Sequence, residues 1–418
     1  MKLTLKDSQM TKTRQSRILS RRNLLATGAT AAIAGSWWSP VATAWERHRD
    51  HSSLRITGLE LFPVRLPRNR TWLFIRLRTN QGISGIAEAT LGGTDKVSEL
   101  KTFFQLIDGR SPFDIRRYRK QGLNLAVTGG RKMAGAFSAI EQALWDLVGK
   151  TLNVPVYDLF GGKVRDEIDL YANINNATTD RSPAGFAKNA DRAVREGFPA
   201  IKAAPFDGFP SLDAPSDQVK RATDTGVDCI RAIRAAAGDE VKIHVDFHSY
   251  FDVGLTIDIA ERVEPCDLSW IEEPIDPRKV IENNEIKKAI PQRLAGGEFL
   301  VGLHEFGPLC RTQCMEVLMP DVQICGGLLE GQRISTAAEL HGMSVAPHNA
   351  HGPVATVASA QLSAVLPNFE ILEYQWNEVP WRAELIDPPE SIHEGRLYLN
   401  DRPGFGVELN DQVIAAHL

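Results

Sequence analysis

Three acids stand at equal steps in the second half of the chain: Asp246, Glu272 and Glu298, each 26 residues from the next. One strand–helix unit of a barrel requires a step of about that length. The recurrence runs on through Asp321, His348 and Glu373, at intervals of 23, 27 and 25 residues. One acid or histidine per unit, each near the end of an apolar strand, brings all six to the C-terminal rim, where barrel active sites form. Three carboxylates on one small ring stay ionised together only around a cation. Ligation by oxygen alone selects a hard ion, so Mg²⁺ is expected, with Mn²⁺ as substitute. Asp246, Glu272 and Glu298 are the expected ligands. Glu273, beside Glu272, is expected to make an outer or structural contact.

A base and an acid are also in place. Asp321 and His348 lie on adjacent units, and a carboxylate beside an imidazole fixes its tautomer and raises its basicity. His348 is the candidate general base and Asp321 its orienter, while His351 is expected to be structural. His248 lies two residues after Asp246, and in an extended chain alternation would put both side chains on one face. Lys202 ends an earlier strand and offers positive charge for a substrate carboxylate; the plainer alternative is a solvated or salt-bridged lysine. Glu373, in protonated form, could donate a hydrogen bond to a developing oxyanion.

The elements that must hold these residues are legible as two patterns. From Ile168 onward, short apolar strands alternate with helical stretches, the signature of parallel βα units. The strands expected are Ile168–Asn173, Ala200–Lys202, Val241–Asp246, Leu268–Glu272, Leu294–Glu298, a sixth near Val322–Ile324, Ser344–His348 and Phe369–Glu373. Before them, Leu59–Val64, Trp72–Arg78 and Ile83–Ala89 read as strands, and Lys96–Thr151 as helix. The chain therefore divides into a targeting segment at 1–44, an N-terminal α+β domain at 54–165, a barrel at 166–375 and a C-terminal segment at 376–418.

Composition limits the partners. Of 418 residues, 43% are hydrophobic and 24% charged, the balance of a globular protein. The net charge of −4, with no basic run after the N-terminus, argues against nucleic acid, so an anionic substrate must be drawn by a local positive site. At the N-terminus, Ser20-Arg21-Arg22-Asn23-Leu24-Leu25, a small-residue apolar run to Trp38, and Ala42-Thr43-Ala44 follow the order of a cleavable twin-arginine export signal. The run is shorter than the roughly 20 residues of a membrane span. Export to the periplasm is the expectation, an uncleaved anchor or a basic tail the alternatives. Five cysteines, an odd number, argue against a disulfide framework, and buried free thiols are expected.

These residues resemble a known family. Ser138-Ala139-Ile140-Glu141-Gln142-Ala143-Leu144-Trp145-Asp146, Trp270-Ile271-Glu272-Glu273-Pro274, Gly296-Gly297-Glu298, Pro347-His348-Asn349 and Pro403-Gly404-Phe405-Gly406-Val407-Glu408-Leu409 resemble landmarks of the enolase superfamily, in its mandelate racemase subgroup, from about Leu54 to Leu418. The resemblance implies a modified (β/α)7β TIM barrel with an N-terminal capping domain that the C-terminal segment completes. It also implies Mg²⁺ and abstraction of the proton α to a carboxylate, with Asp246, Glu272 and Glu298 at the metal and Asp321 and His348 as the dyad. Where the racemase pattern has Lys-x-Lys, this chain has Lys202-Ala203-Ala204, so the opposite-face base is missing. Asp246-Phe247-His248 looks like the Asp-x-His of galactonate-type sugar-acid dehydratases, whose histidine is assigned to acid catalysis. The function expected is Mg²⁺-dependent dehydration of a sugar acid to a 2-keto-3-deoxy acid by a self-associating enzyme. Racemisation, epimerisation or cycloisomerisation on the same scaffold, and non-catalytic binding of a sugar acid, are the alternatives.

Overall fold

A computed structural model of the chain describes residues 51–89 and 97–418. The expected export signal at 1–44 lies outside the described residues.

The N-terminal part opens with an antiparallel meander, β1 (Ile56–Leu66), β2 (Arg70–Thr79) and β3 (Ser84–Ala89). The stretch expected to be helical is three helices: α1 (Val97–Phe104), α2 (Ile115–Thr128) and α3 (Gly130–Leu152). They close over the meander around Leu59, Ile75, Phe103, Phe137 and Ile140, with Tyr118 stacked on Phe137. The barrel follows. Its eight parallel strands are β4 (Glu167–Asn173), β5 (Ala200–Ala203), β6 (Lys242–Asp246), β7 (Trp270–Glu272), β8 (Leu294–Gly296), β9 (Val317–Leu318), β10 (Ser344–Val345) and β11 (Leu372–Gln375). The strands pair in chain order from β4 to β10; β11 pairs with β4, and the bridge Val345–Phe369 closes the ring. Seven helices connect the eight strands: α4 (Pro183–Arg195), α5 (Ser216–Ala237), α6 (Val253–Arg262), α7 (Val280–Ala289), α8 (Gly302–Thr312), α9 (Gly327–Leu340) and α10 (Pro353–Ser363). The architecture is thus a (β/α)7β barrel with an N-terminal α+β cap.

Two strand expectations need correction. The sixth strand is Val317–Leu318, and Val322–Ile324 is a turn whose Ile324 N–H donates back to the Asp321 carbonyl at 2.9 Å. Its apolar residues are buried, Ile324 beside Ala134 of α3 and Val322 in the barrel core, which imitates strand burial in the sequence. Strands five and seven also stop early, at Gly296 and Val345, so Glu298 and His348 stand on the turns beyond.

The polar face of α3 explains how the cap grips the barrel. Ser138, Glu141, Gln142 and Asp146 are buried, and a buried polar group must find a partner. Gln142 donates to the Val322 carbonyl at 2.9 Å, and Ser138 Oγ accepts the Gly326 N–H at 3.1 Å. Glu141 accepts the N–H groups of Leu328 and Leu329 at the start of α9, whose unpaired donors favour a carboxylate. The turn carrying Asp321 is therefore held from the cap. After β11 the chain serves both parts: β12 (Arg396–Tyr398) pairs antiparallel with β4, while Asp411 meets Arg76 of β2 at 2.6 Å. No helix among the described residues is long and apolar enough to cross a membrane.

Candidate active site

The barrel interior ends upward in Tyr171, Trp270 and their apolar neighbours, with His244 stacked on Trp270 at 3.4 Å and kept neutral by burial. Above this layer the carboxylates gather. Asp246 and Glu272 are the last residues of β6 and β7, and Glu298 reaches the same place from the turn after β8, where Gly297 takes φ +113°. One oxygen from each lies within 4.8 Å of the others, and all three residues are buried. Asp246 Oδ2 faces two cations, His248 Nε2 at 3.1 Å and Lys202 Nζ at 3.4 Å. Burial, with Asp246 alongside, drives the Glu272 carboxyl well above the usual range despite Lys202. Burial also raises Asp246, but His248 and Lys202 outweigh it and hold Asp246 well below that range. Glu273 accepts the Gly297 N–H at 2.9 Å, and burial followed by Glu298 pushes its carboxyl up to about 7. Three buried carboxylates this close, offering oxygen alone, fit a hard cation.

Lys202 adopts the salt-bridged alternative. Only 2% exposed, it lies 2.6 Å from Glu272, 3.3 Å from Glu373 and 3.4 Å from Asp246, so its charge neutralises the acid cluster from below. The residue still borders the cavity. Glu373 departs from expectation in position and charge. It is the second residue of β11, not its end, and it accepts Asn173 Nδ2 at 2.5 Å and the Asn349 N–H at 2.9 Å. Burial opposes its ionisation, but Lys202, His348 and these donors prevail, so its pKa is lowered. A carboxylate held in this way accepts hydrogen bonds and cannot donate one to an oxyanion.

The two candidate histidines stand at β6 and β10, four strands apart in an eight-stranded ring and so across its mouth from each other. His348 contacts Asp321 through Nδ1 at 2.7 Å and Glu298 through Nε2 at 3.0 Å. Burial opposes its charge, yet Glu298, Glu373 and Asp321 hold its pKa well above the usual value. His248 reaches the site by a route that strand alternation did not foresee. The strand ends at Asp246, and His248 and Ser249 both take left-handed backbone, φ +45° and +57°. That turn folds the ring back until Nε2 lies 3.1 Å from Asp246, while Nδ1 meets Asp207 at 2.5 Å. Burial disfavours its charge, but Asp246 and Asp207 push the pKa up to about 12, so His248 is an imidazolium at neutral pH.

Asp207 was not singled out in the sequence. It sits in the turn after β5 without strand-end position, fixed by Asn175 at 2.7 Å and Arg181. Arg131 was also missed. It comes from the first turn of α3, and its guanidinium lies over the Phe299 ring at 3.1 Å. Together with Asn173, Asn175, Asn176 and Gln375, these groups surround a cavity of about 370 Å³ that also touches Asp246, Glu298, His248 and His348. Amides on one side and paired charges at the base suit a small, hydroxyl-rich anion. All five cysteines are buried and free.

Comparison with known proteins agrees with this geometry. Residues 185–413, more than half of the chain, match the family model described as enolase C-terminal domain-like. Residues 64–161 match that of the mandelate racemase/muconate lactonizing enzyme N-terminal domain. A D-xylonate dehydratase of Haloferax volcanii is 32% identical over 84% of this chain and 86% of its own. A D-galactonate dehydratase of Variovorax paradoxus is 29% identical, with 86% and 94% covered. Among solved structures, a putative dehydratase from Mesorhizobium loti superposes with a TM-score of 0.79 at 29% identity, covering 87% of this chain and 98% of that one.

Proposed function

The chain belongs to the mandelate racemase/muconate lactonizing enzyme family of the enolase superfamily, and from that premise we propose that it dehydrates a sugar acid to a 2-keto-3-deoxy acid. The observation that carries this reading is a pair of imidazoles across one cavity, each with acid partners of its own: His348 backed by Asp321, and His248 set between Asp246 and Asp207. Elimination needs both a base at the α-carbon and an acid at the β-oxygen. Racemisation needs a second base on the opposite face, and beside Lys202 the chain offers Ala203 and Ala204. The names of the relatives point the same way.

Asp246, Glu272 and Glu298 would hold a Mg²⁺ ion, whose charge stabilises a substrate carboxylate that has lost its α-proton. The remaining work falls to the chain. With Nδ1–H committed to Asp321, His348 takes the α-proton at Nε2. His248 gives a proton to the β-hydroxyl as the C–O bond breaks, so that water leaves. The enol that remains takes up a proton and becomes the keto acid. Lys202 keeps a fixed positive charge beside the acid cluster throughout.

The test is a panel of D-xylonate, D-gluconate and D-galactonate with Mg²⁺, assayed for 2-keto acid and for exchange of the α-proton in D₂O. Keto-acid formation from at least one, lost in excess chelator, is the expected result. Exchange without keto acid would replace dehydration by epimerisation, and neither reaction with saturable binding would leave a binding protein.

We further propose that the enzyme is exported by the twin-arginine route, supported by Ser20–Leu25, the apolar run and Ala42-Thr43-Ala44. Replacing Arg21 and Arg22 by lysine should strand the protein in the cytoplasm, as read by cell fractionation. An unchanged periplasmic yield would defeat the proposal.

A further inference from the structure

Asp321 serves two histidines. Its Oδ2 lies 2.7 Å from His348 Nδ1 and 2.6 Å from His351 Nε2, while Oδ1 accepts the Gln323 N–H at 2.7 Å. All three side chains are buried. We infer that His351 is a positioning residue that locks Asp321 and, through it, the ring and tautomer of His348. A carboxylate oxygen only accepts, so both nitrogens facing it must carry protons. The shared acceptor therefore commits His348 Nδ1 to donation and leaves Nε2 as the one ring atom that can take a substrate proton. Without His351 the carboxylate would have a donor fewer, and its plane would be free to follow the His348 ring instead of directing it.

His351 is itself held from the capping domain. It stands two residues before α10, whose start is anchored by Glu88 of β3. Glu88 accepts the N–H of Gly352 at 2.7 Å and of Ala355 at 3.2 Å. A Cβ at Gly352 would lie 2.7 Å from the Glu88 carboxylate, so glycine is what permits the approach. Docking of the cap thus sets the start of α10, and with it the imidazole behind Asp321. The same trio also has the composition of a metal site. Ligands each about 2 Å from a tetrahedral ion stand more than 3 Å apart, whereas 2.6 and 2.7 Å are hydrogen-bond separations. This arrangement is closed by hydrogen bonds.

The inference rests on His348 acting as the base, and the experiment has one arm that needs turnover and one that does not. H351L, H351N and H351Q are compared with wild type, all saturated with Mg²⁺, on the panel of three sugar acids. The glutamine amide can put an N–H where His351 Nε2 stands; leucine has none and asparagine falls short. H351L and H351N should lose about ten- to a hundredfold in kcat, the usual effect of removing a partner behind a functional side chain. KM should stay near the wild-type value, and H351Q should recover most of kcat. The second arm is NMR of ¹⁵N-histidine-labelled protein. The His348 Nδ1–H, identified by its absence in H348N, should resonate downfield and exchange slowly in wild type and H351Q. It should shift and exchange faster in H351L and H351N. If H351L does not fold, H351N against H351Q decides. Wild-type kcat in H351N, failure of a folded H351Q to recover it, or an unmoved His348 resonance overturns the inference. If the wild type turns over none of the three acids, the dehydratase reading fails and the NMR arm alone decides the role of His351.

Discussion

Replacing Glu272 by glutamine should abolish turnover while leaving the fold intact. Glu272 ends β7 between Asp246 and Glu298 and is fully buried, so its carboxylate is the central member of the trio. An amide keeps the volume and can still accept from Lys202, now 2.6 Å away, but it brings no charge to a cation. Metal stabilisation of developing charge is worth several kcal/mol. At about 1.4 kcal/mol per decade, the loss should be on the order of 10³-fold or more. The accompanying stability change has a definite sign. In excess chelator the wild type keeps Asp246, Glu272 and Glu373 around one lysine, with Glu298 beside the first two, and replacing one of these carboxyls by an amide relieves their mutual repulsion. E272Q should then melt no lower than chelated wild type and gain little on adding Mg²⁺, whereas wild type should gain clearly. Full activity of E272Q, or of wild type in excess chelator, would defeat the metal reading. Collapse of the fold in E272Q would show that Glu272 is needed for the barrel and not only for the ion.

The histidines should separate when changed one at a time. H348N removes the base, and both α-proton exchange and keto-acid formation should vanish. H248N removes the acid, which is typically worth ~10²–10⁴-fold. Keto-acid formation should fall by about that factor while α-proton exchange partly survives, because exchange does not require the C–O bond to break. The surroundings of the two rings support this division. His348 is buried, and its Nδ1 is engaged by Asp321. His248 is about one-third exposed at the side chain and is gripped by Asp207 and Asp246 in its charged form. Exchange and elimination measured in parallel on each variant decide the matter. Full dehydration by H248N would make His248 a bystander and leave His348 to act as both base and acid.

Some of this site is written in the sequence. The 26-residue step of Asp246, Glu272 and Glu298 survives because one strand, one helix and two loops need a set length of chain, whatever the cap does. The same rule carried Asp321 and His348 to the rim. The step is blind to where on each turn a residue falls. Asp246 closes its strand, Glu298 stands two residues beyond, His348 three, and Glu373 lies inside β11. Those offsets decide charge and role. Inside β11, Glu373 meets Lys202 and Asn173 and stays ionised; on its turn, His348 can reach Asp321 and Glu298 together.

What the sequence alone determined is the barrel rhythm, the carboxylate trio and the pairing of an acid with an imidazole, since each follows from local pattern and the length of one repeat. Tertiary structure alone decided the partners that come from far along the chain. Gln142 reaches the Asp321 turn from 180 positions away, and Glu88 reaches the start of α10 from 264. The left-handed turn at His248 and the second imidazole on Asp321 belong to the same class. None of these leaves a period or a run to be read, because each is fixed by how separate segments pack together and by the need of every buried polar group for a partner.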